Sequence, residues 1–286
     1  MDNSRETVRS SQNKYVSLAR GLTNKKNREN EKLFRFDGVK LMCEAIKNGV
    51  DISFALVKEE EWRSLLEKSE KLYGISENEI KFPIIPVEKS LFERLSEEMA
   101  PEGVICVAGY EGQLHRTVSD EEILSYDAEE RILLLESVRD PQNVGAIVRV
   151  AAAFGVDRIL MSLDCADIYN SKTIRASMGT VFGARIDRVS DMKSTVKALR
   201  KNGRRVYAAA LERDSAKLGE LEIRCGDCVI IGNEGHGLSP ETIQECDGTV
   251  FIPMADGVES LNAATAAAVL VWEFFGSKNR KQEAGK

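Results

Sequence analysis

The sequence predicts an α/β protein in two parts, a smaller N-terminal α/β domain and a larger C-terminal one built on a mostly parallel sheet. Three observations point there. Short apolar runs of strand length alternate with stretches of helical period along most of the 286 residues. A polar interval breaks that alternation once, so residues 1–110 and 131–286 are the expected domains and 111–130 the linker. In the second part the strands read as continuous apolar runs, the mark of strands covered on both faces.

Residues 1 to about 30 are polar, and 21–28 reads as a basic loop. A helix is expected over 39–48, where Leu41, Met42, Ala45 and Ile46 repeat at helical spacing and Gly49 stops it. Strand 52–57, helix 62–73, strand 82–87, helix 91–99 and strand 103–108 complete the first part. The second opens with strand 132–135, helix 144–154 closed by Gly155, and strand 158–161. Further strands are expected over 184–189, 205–210, 228–231 and 249–252, with helices over 192–201, 240–246 and 263–275.

Composition narrows the class. The chain is 43% hydrophobic and 30% charged, as a globular protein is, and no apolar stretch is long enough to span a bilayer. The polar, charged start has no apolar core of a secretory signal, so the cytoplasm is the expected compartment. The net charge of -6 is uneven: residues 1–49 hold 11 Lys/Arg against 6 Asp/Glu, the remainder 29 against 40. A basic leader on an acidic body suits contact with phosphate, although a solvated leader explains it equally well. The six cysteines are scattered. The Cys225-Gly226-Asp227-Cys228 pair lacks a second pair or nearby histidines for zinc, since the only histidines are His115 and His236. It does not open a helix as a redox pair would, and two reduced structural thiols, with no metal, are expected.

Three segments of the second part cluster polar residues and glycines where a strand ends, which is where open α/β sheets bind ligands. The first is Asp140-Pro141-Gln142-Asn143-Val144-Gly145, running to Arg149. Asn143 and Arg149 are six apart and share no face of a regular helix, but both could reach one pocket if Asn143 lay in the turn before it. The plainer alternative is an Asn143 N-cap with a solvent-facing Arg149. The second is Gly232-Asn233-Glu234-Gly235-His236-Gly237-Leu238-Ser239, whose glycines permit sharp turning and close approach to a ligand. It is neither a dinucleotide fingerprint nor a P-loop. The third, Ile252-Pro253-Met254 and then Gly257-Val258-Glu259-Ser260-Leu261-Asn262, leads into the last helix, with Asn262 or Ser260 a good N-cap.

Together these segments resemble the three signature motifs of the SpoU/TrmH family of SPOUT RNA methyltransferases, in the same order. Ile174-Arg175-Ala176-Ser177-Met178-Gly179 resembles a further family segment. The likeness is strong over about 131–275. Around Phe34-Arg35-Phe36-Asp37-Gly38 there is a weaker likeness to the ribosomal-protein-like RNA-binding domain of many members. Val150, Gln142, Ala263-Ala264-Thr265 and Phe36-Asp37-Gly38 depart from the usual wording, but none of these departures removes Asn143, Arg149, Glu234, Ser260 or Asn262.

The resemblance implies methylation of a ribose 2′-hydroxyl in structured RNA, rRNA ahead of tRNA, with S-adenosylmethionine as cofactor. It implies backbone-mediated cofactor binding at Gly232, Ile252 and Leu261, a catalytic Arg149, and orienting roles for Asn143, Glu234, Ser260 and Asn262. An arginine gives up its proton too reluctantly to be a good base, so electrostatic duty on phosphate and developing alkoxide is expected of Arg149. Chain-topology rules favour an unknotted sheet, whereas the resemblance implies a C-terminal trefoil knot and a homodimer. The competing expectations are a non-catalytic RNA-binding or assembly factor of the same fold and, less favoured, a small-molecule methyltransferase.

Overall fold

The computed structural model describes residues 6–98, 100–110, 116–257 and 260–276. By its contacts the chain divides into two compact units, Met1–Glu111 with Tyr169–Gly183, and Gly112–Ile168 with Ala184–Lys286. His115, Met99 at the end of an expected helix, Val258 and Glu259 of the third motif, and the polar tail 277–286 lie outside the described residues.

The first unit carries a four-stranded mixed sheet in the order β1 (Leu33–Asp37), β4 (Val104–Gly109), β2 (Ile52–Lys58), β3 (Ile84–Val87). Only β2 and β3 run parallel. Val16, Ala19 and Leu22 of the N-terminal helix region pack with Leu91, Phe92 and Leu95 on Phe54, Leu56, Ile105 and Val107 of the sheet.

Two short helices, α1 (Lys14–Gly21) and α2 (Lys25–Glu31), stand in the polar stretch, α2 largely where the sequence reads as a loop. Neither advertises itself, because α2 has no apolar period and depends on its Asn24 cap and on Arg28. That side chain is 3% exposed and donates to the carbonyls of Leu22 and Thr23 at 2.9 Å. β1 was hidden for a related reason: its middle holds Arg35, buried and paired with Asp37 at 2.8 Å. A charge in a strand breaks the apolar run that announces one. The segment α8 (Ser171–Ser177) with the 3-10 turn Thr180–Phe182, expected in the second part, packs instead with the first unit. There Phe182 meets Phe36 at 5.1 Å between ring centroids, Arg175 pairs with Glu98 at 3.3 Å, and Ser171 donates to Glu97.

The second unit is a seven-stranded sheet in the order β7 (Ile186–Val189), β6 (Arg158–Ser162), β5 (Ile132–Leu135), β10 (Cys228–Ile231), β8 (Val206–Ala209), β11 (Gly248–Phe251), β9 (Ala216–Lys217). Every pairing in it is parallel. β5 and β10 are buried at all four positions, as the unbroken apolar runs foretell. β10 enters last but one yet lies between β5 and β8, which puts a topological switch in mid-sheet. Helices α7 (Pro141–Ala153), α9 (Met192–Lys201), α10 (Pro240–Glu245) and α11 (Ala263–Val271) cover the sheet, α11 ending in a π-helical turn, Trp272–Gly276.

Of the interval expected as a linker, 111–115 lie outside the described residues. The rest is built into the second unit: Thr117 bridges Arg188, and α6 (Asp120–Ile123) buries Ile123 in the core beside Val118. Its two buried side chains are too few to show a period. Among the described residues no helix is long and apolar enough to cross a membrane, and no three His, Cys, Asp or Glu side chains are placed to hold a metal ion. Cys228 is buried at the start of β10, where burial pushes its thiol up to about 12, while Cys225 is exposed.

Candidate functional site

The carboxyl ends of β8, β10 and β11 open onto a cavity of about 270 Å³. Its walls are Ala209, Ala210 and Leu211 beyond β8, Ile231 to Glu234 beyond β10, Val250 to Ile252 ending β11, and Ser260, Leu261 and Ala263 at the start of α11. A concave, largely apolar hollow with a few converging polar groups is the ordinary form of a cofactor site.

The loop 232–239 supplies one wall, and its glycines are needed there. A Cβ on Gly232 would stand 2.5 Å from the carbonyl carbon of Gly237 and 2.6 Å from the nitrogen of Leu238, which no side chain can tolerate. Asn233 shapes the turn: its Oδ1 accepts from the N–H groups of Gly235 and His236 at 2.9 and 3.1 Å, and its Nδ2 donates to the Ser137 carbonyl at 2.8 Å. Asn233 is therefore committed to the loop, and Glu234 is the exposed side chain beside the cavity.

A polar chain runs along the rim. Asn262 donates to the side-chain carbonyl of Asn143 at 2.9 Å, and Asn143 donates to the Glu234 carboxylate at 2.5 Å. Asn262 also caps α11, its Oδ1 accepting from the N–H groups of Ala264 and Thr265, so its two amide atoms serve different tasks. Asn143 is 7% exposed and sits inside α7, not before it. Asp140 is the N-cap, accepting from the Gln142 N–H at 2.8 Å.

That position decides the question of Arg149. Asn143 and Arg149 ride one continuous helix, six residues apart, so they stand about 240° apart around the axis and about 9 Å along it. The Arg149 side chain is exposed, has no hydrogen bond or ion pair among the described residues, and is absent from the cavity wall. The structure thus joins Asn143, Glu234 and Asn262, lines the cavity with Gly232, Ile252, Leu261, Ser260 and Glu234, and leaves Arg149 apart from them within the chain.

Sequence reasoning missed the wall beyond β8, Ala209 to Leu211, and the β5 end Glu136-Ser137. Two small alanines closing a strand were the only local hint of the former.

A second hollow, about 710 Å³, lies at the amino ends of β5, β6 and β7. It is larger but committed: Arg158 pairs with Glu130 at 3.0 Å and with Asp187, and Arg116 pairs with Glu122 at 3.0 Å. Most of its polar groups answer one another, although the buried Tyr126 hydroxyl has no hydrogen-bond partner among the described residues, and the smaller cavity is the candidate site.

Known proteins are similar to this chain over much of its length. The SpoU rRNA Methylase family model matches residues 130–272, half of the chain. The MRM3-like substrate binding domain model matches residues 13–106. The 23S rRNA (guanosine(2553)-2′-O)-methyltransferase RlmP of Bacillus subtilis (strain 168) is 29% identical over 270 residues, 94% of this chain and 99% of that protein. The structure of an AdoMet-bound rRNA methyltransferase from Sinorhizobium meliloti is similar at TM-score 0.76 and 25% identity, covering 94% of this chain and 96% of that one. A putative TrmH-family RNA methyltransferase from Porphyromonas gingivalis gives TM-score 0.73 and 26% identity over 91% and 96% of the two chains.

Proposed function

The chain belongs to the SpoU rRNA methylase family, and we propose that it methylates a ribose 2′-hydroxyl of structured ribosomal RNA with S-adenosylmethionine as methyl donor. The observation that carries this is the Asn262–Asn143–Glu234 chain on the rim of a glycine-walled apolar crevice at the strand ends. It occurs in a chain that matches an rRNA 2′-O-methyltransferase over nearly its whole length.

The crevice suits the cofactor. Ile252 and Leu261 offer apolar walls, and the backbone at Gly232 and beyond β11 offers hydrogen-bonding groups without side chains in the way. When bound, S-adenosylmethionine supplies an electrophilic methyl group. Fixing a hydroxyl against it provides much of the rate, and the rim residues do that fixing. Asn143, held from both sides, presents a set orientation, while exposed Glu234 and Ser260 remain available to substrate.

Arg149 binds the phosphate beside the target and stabilises the developing alkoxide. It acts across a homodimer. The solvent side of α7 and α11 carries Ala146, Val150, Ala153 and Val269, an apolar strip at helical spacing that a partner copy would cover. Arg149 lies on that side, so we assign it to substrate held at the partner's crevice. The insertion of β10 between β5 and β8 and the packing of α11 on α7 support a trefoil-knotted SPOUT domain. The first unit, a ribosomal-protein-like domain, binds the RNA, and the second unit, which holds most of the interval expected as a linker, transfers the methyl group. The reaction takes place in the cytoplasm.

Two measurements test this. Calorimetry with the folded protein should show S-adenosylmethionine binding, and mapping of 2′-O-methyl groups with and without the gene should show one rRNA ribose losing its mark. No binding at millimolar cofactor, or an unchanged map, would sink the proposal.

A further inference from the structure

Two consecutive residues at the end of β5, Glu136 and Ser137, hold both ends of the loop 232–239, and neither belongs to the motif residues discussed above. The Glu136 N–H donates to the Ile231 carbonyl at 2.9 Å, so β5 stays paired with β10 up to the point where the loop departs. The Glu136 carboxylate, 9% exposed, then reaches to the far end of the loop. It accepts from the Ser239 N–H at 3.1 Å, the Ser239 hydroxyl at 3.0 Å and the Thr242 hydroxyl at 2.8 Å.

Among the described residues no lysine or arginine pairs with Glu136. A buried carboxylate without a counter-ion is costly, and three donors are what make it tolerable. A joint that needed only filling would be served more cheaply by an apolar side chain. The arrangement makes sense where a fixed Ser239 matters.

The near end is held in the same way. Ser137 adopts a left-handed backbone, φ 56°, and its carbonyl accepts from Asn233. That backbone is held in turn, because the Ser137 hydroxyl donates to Asp164 at 2.6 Å and its N–H to Ser162 at 2.8 Å. Between Ile231, paired to Glu136, and the anchored Ser239 run Gly232, which walls the crevice, and Glu234, which receives Asn143.

We infer that Glu136 is a positioning residue for the cofactor crevice: by fixing Ser239 it sets the path of the glycine loop, and through the loop the wall at Gly232. This rests on reading the crevice as the S-adenosylmethionine pocket. Glu136 touches no substrate and moves no proton. Its effect falls on cofactor binding more than on the chemical step.

The test uses the full-length protein and compares wild type, Glu136→Gln and Thr242→Val for cofactor affinity, for KM and kcat, and for thermal stability. Glutamine keeps the volume but turns an NH2 toward a donor, either the Ser239 N–H or the paired hydroxyls. The expected result is a rise of about tenfold in KM for S-adenosylmethionine with kcat at saturating cofactor nearly retained, the size of one lost charge-assisted hydrogen bond. Thr242→Val removes a single donor and should raise KM about threefold, and it carries the test alone if Glu136→Gln does not fold. Unchanged KM in the folded variants, or a loss of kcat with KM unmoved, overturns the inference while leaving the pocket assignment intact. A folded wild type that binds no S-adenosylmethionine overturns the pocket assignment and this inference together.

Discussion

The two ends of the second sheet make an instructive pair. Both are rich in polar side chains, and the amino end has the larger hollow, about 710 Å³ against about 270 Å³. At the amino end most of the groups are committed to one another, the buried Tyr126 hydroxyl being without a hydrogen-bond partner among the described residues. Arg158 stacks 4.0 Å over the ring of Tyr126 and is held by Glu130 and Asp187, while buried Arg204 donates to the carbonyls of Asp127, Glu130 and Gly226. Burial, against the pull of Arg158, pushes the Tyr126 phenol up to about 12. At the carboxyl end the polar chain stops at an exposed carboxylate, and the wall is glycine and aliphatic. Polarity does not mark a site. Hydrogen-bonding capacity left uncommitted beside an apolar wall does.

The largest effect that could break this contrast concerns Arg149. Arg149→Ala should lower the methylation rate about 10²- to 10³-fold with cofactor affinity unchanged, as loss of one preorganised transition-state donor does. Arg149→Lys should recover little, because the planar fork is gone. If the arginine serves the partner's crevice, mixing Arg149→Ala with Asn143→Ala protein should restore activity in heterodimers that neither variant shows alone. Near wild-type turnover by Arg149→Ala would make the uncommitted charge a surface accident.

The opposite end should respond in stability and not in chemistry. Asp187→Asn removes one anion from Arg158, whose side chain is 5% exposed. We expect a loss of about 3 kcal/mol in denaturant unfolding, at the low end for a broken buried pair because Glu130 remains. Turnover and cofactor affinity per folded molecule should not change. A fall in turnover with stability kept would place function at the amino end and reverse the comparison.

The smallest effect is a pH dependence at Asp164, next to the loop anchor. Burial works to raise this carboxyl, but hydrogen bonds from Ser137, Ser162 and Arg139 overcome it and hold the group at about 2. A depressed carboxyl contributes stability in full above about pH 4, its unfolded range, and loses it as pH falls toward 2. Wild type should therefore exceed Asp164→Asn in stability near neutrality and converge with it in acid. A difference independent of pH would show that the charge is not what holds Ser137.

Legibility followed the range of the interactions. The strands over 132–135 and 228–231 and the helices over 62–73 and 192–201 stand where periodicity put them, because repeating apolar residues are a local signal. β1 escaped because its charges neutralise each other only within the buried Arg35–Asp37 pair, and α2 because its cap and Arg28 do what an apolar face does elsewhere. Within the site, the motifs named Asn143, Glu234 and Asn262 one by one. Nothing local says that side chains 91 and 119 positions apart share hydrogen bonds.

What the sequence by itself determined was the α/β class, the three glycine- and asparagine-bearing segments at strand ends, and through their wording the family. Those features are written in neighbouring residues. The tertiary structure alone decided that Glu136-Ser137 anchor the glycine loop, that Tyr169–Gly183 packs with the first unit, and that Arg149 faces away from Asn143. Each depends on which residues a parallel sheet and a continuous helix bring together or hold apart. That order is set by strand insertion and helix phase across the whole chain, and not by any one stretch of it.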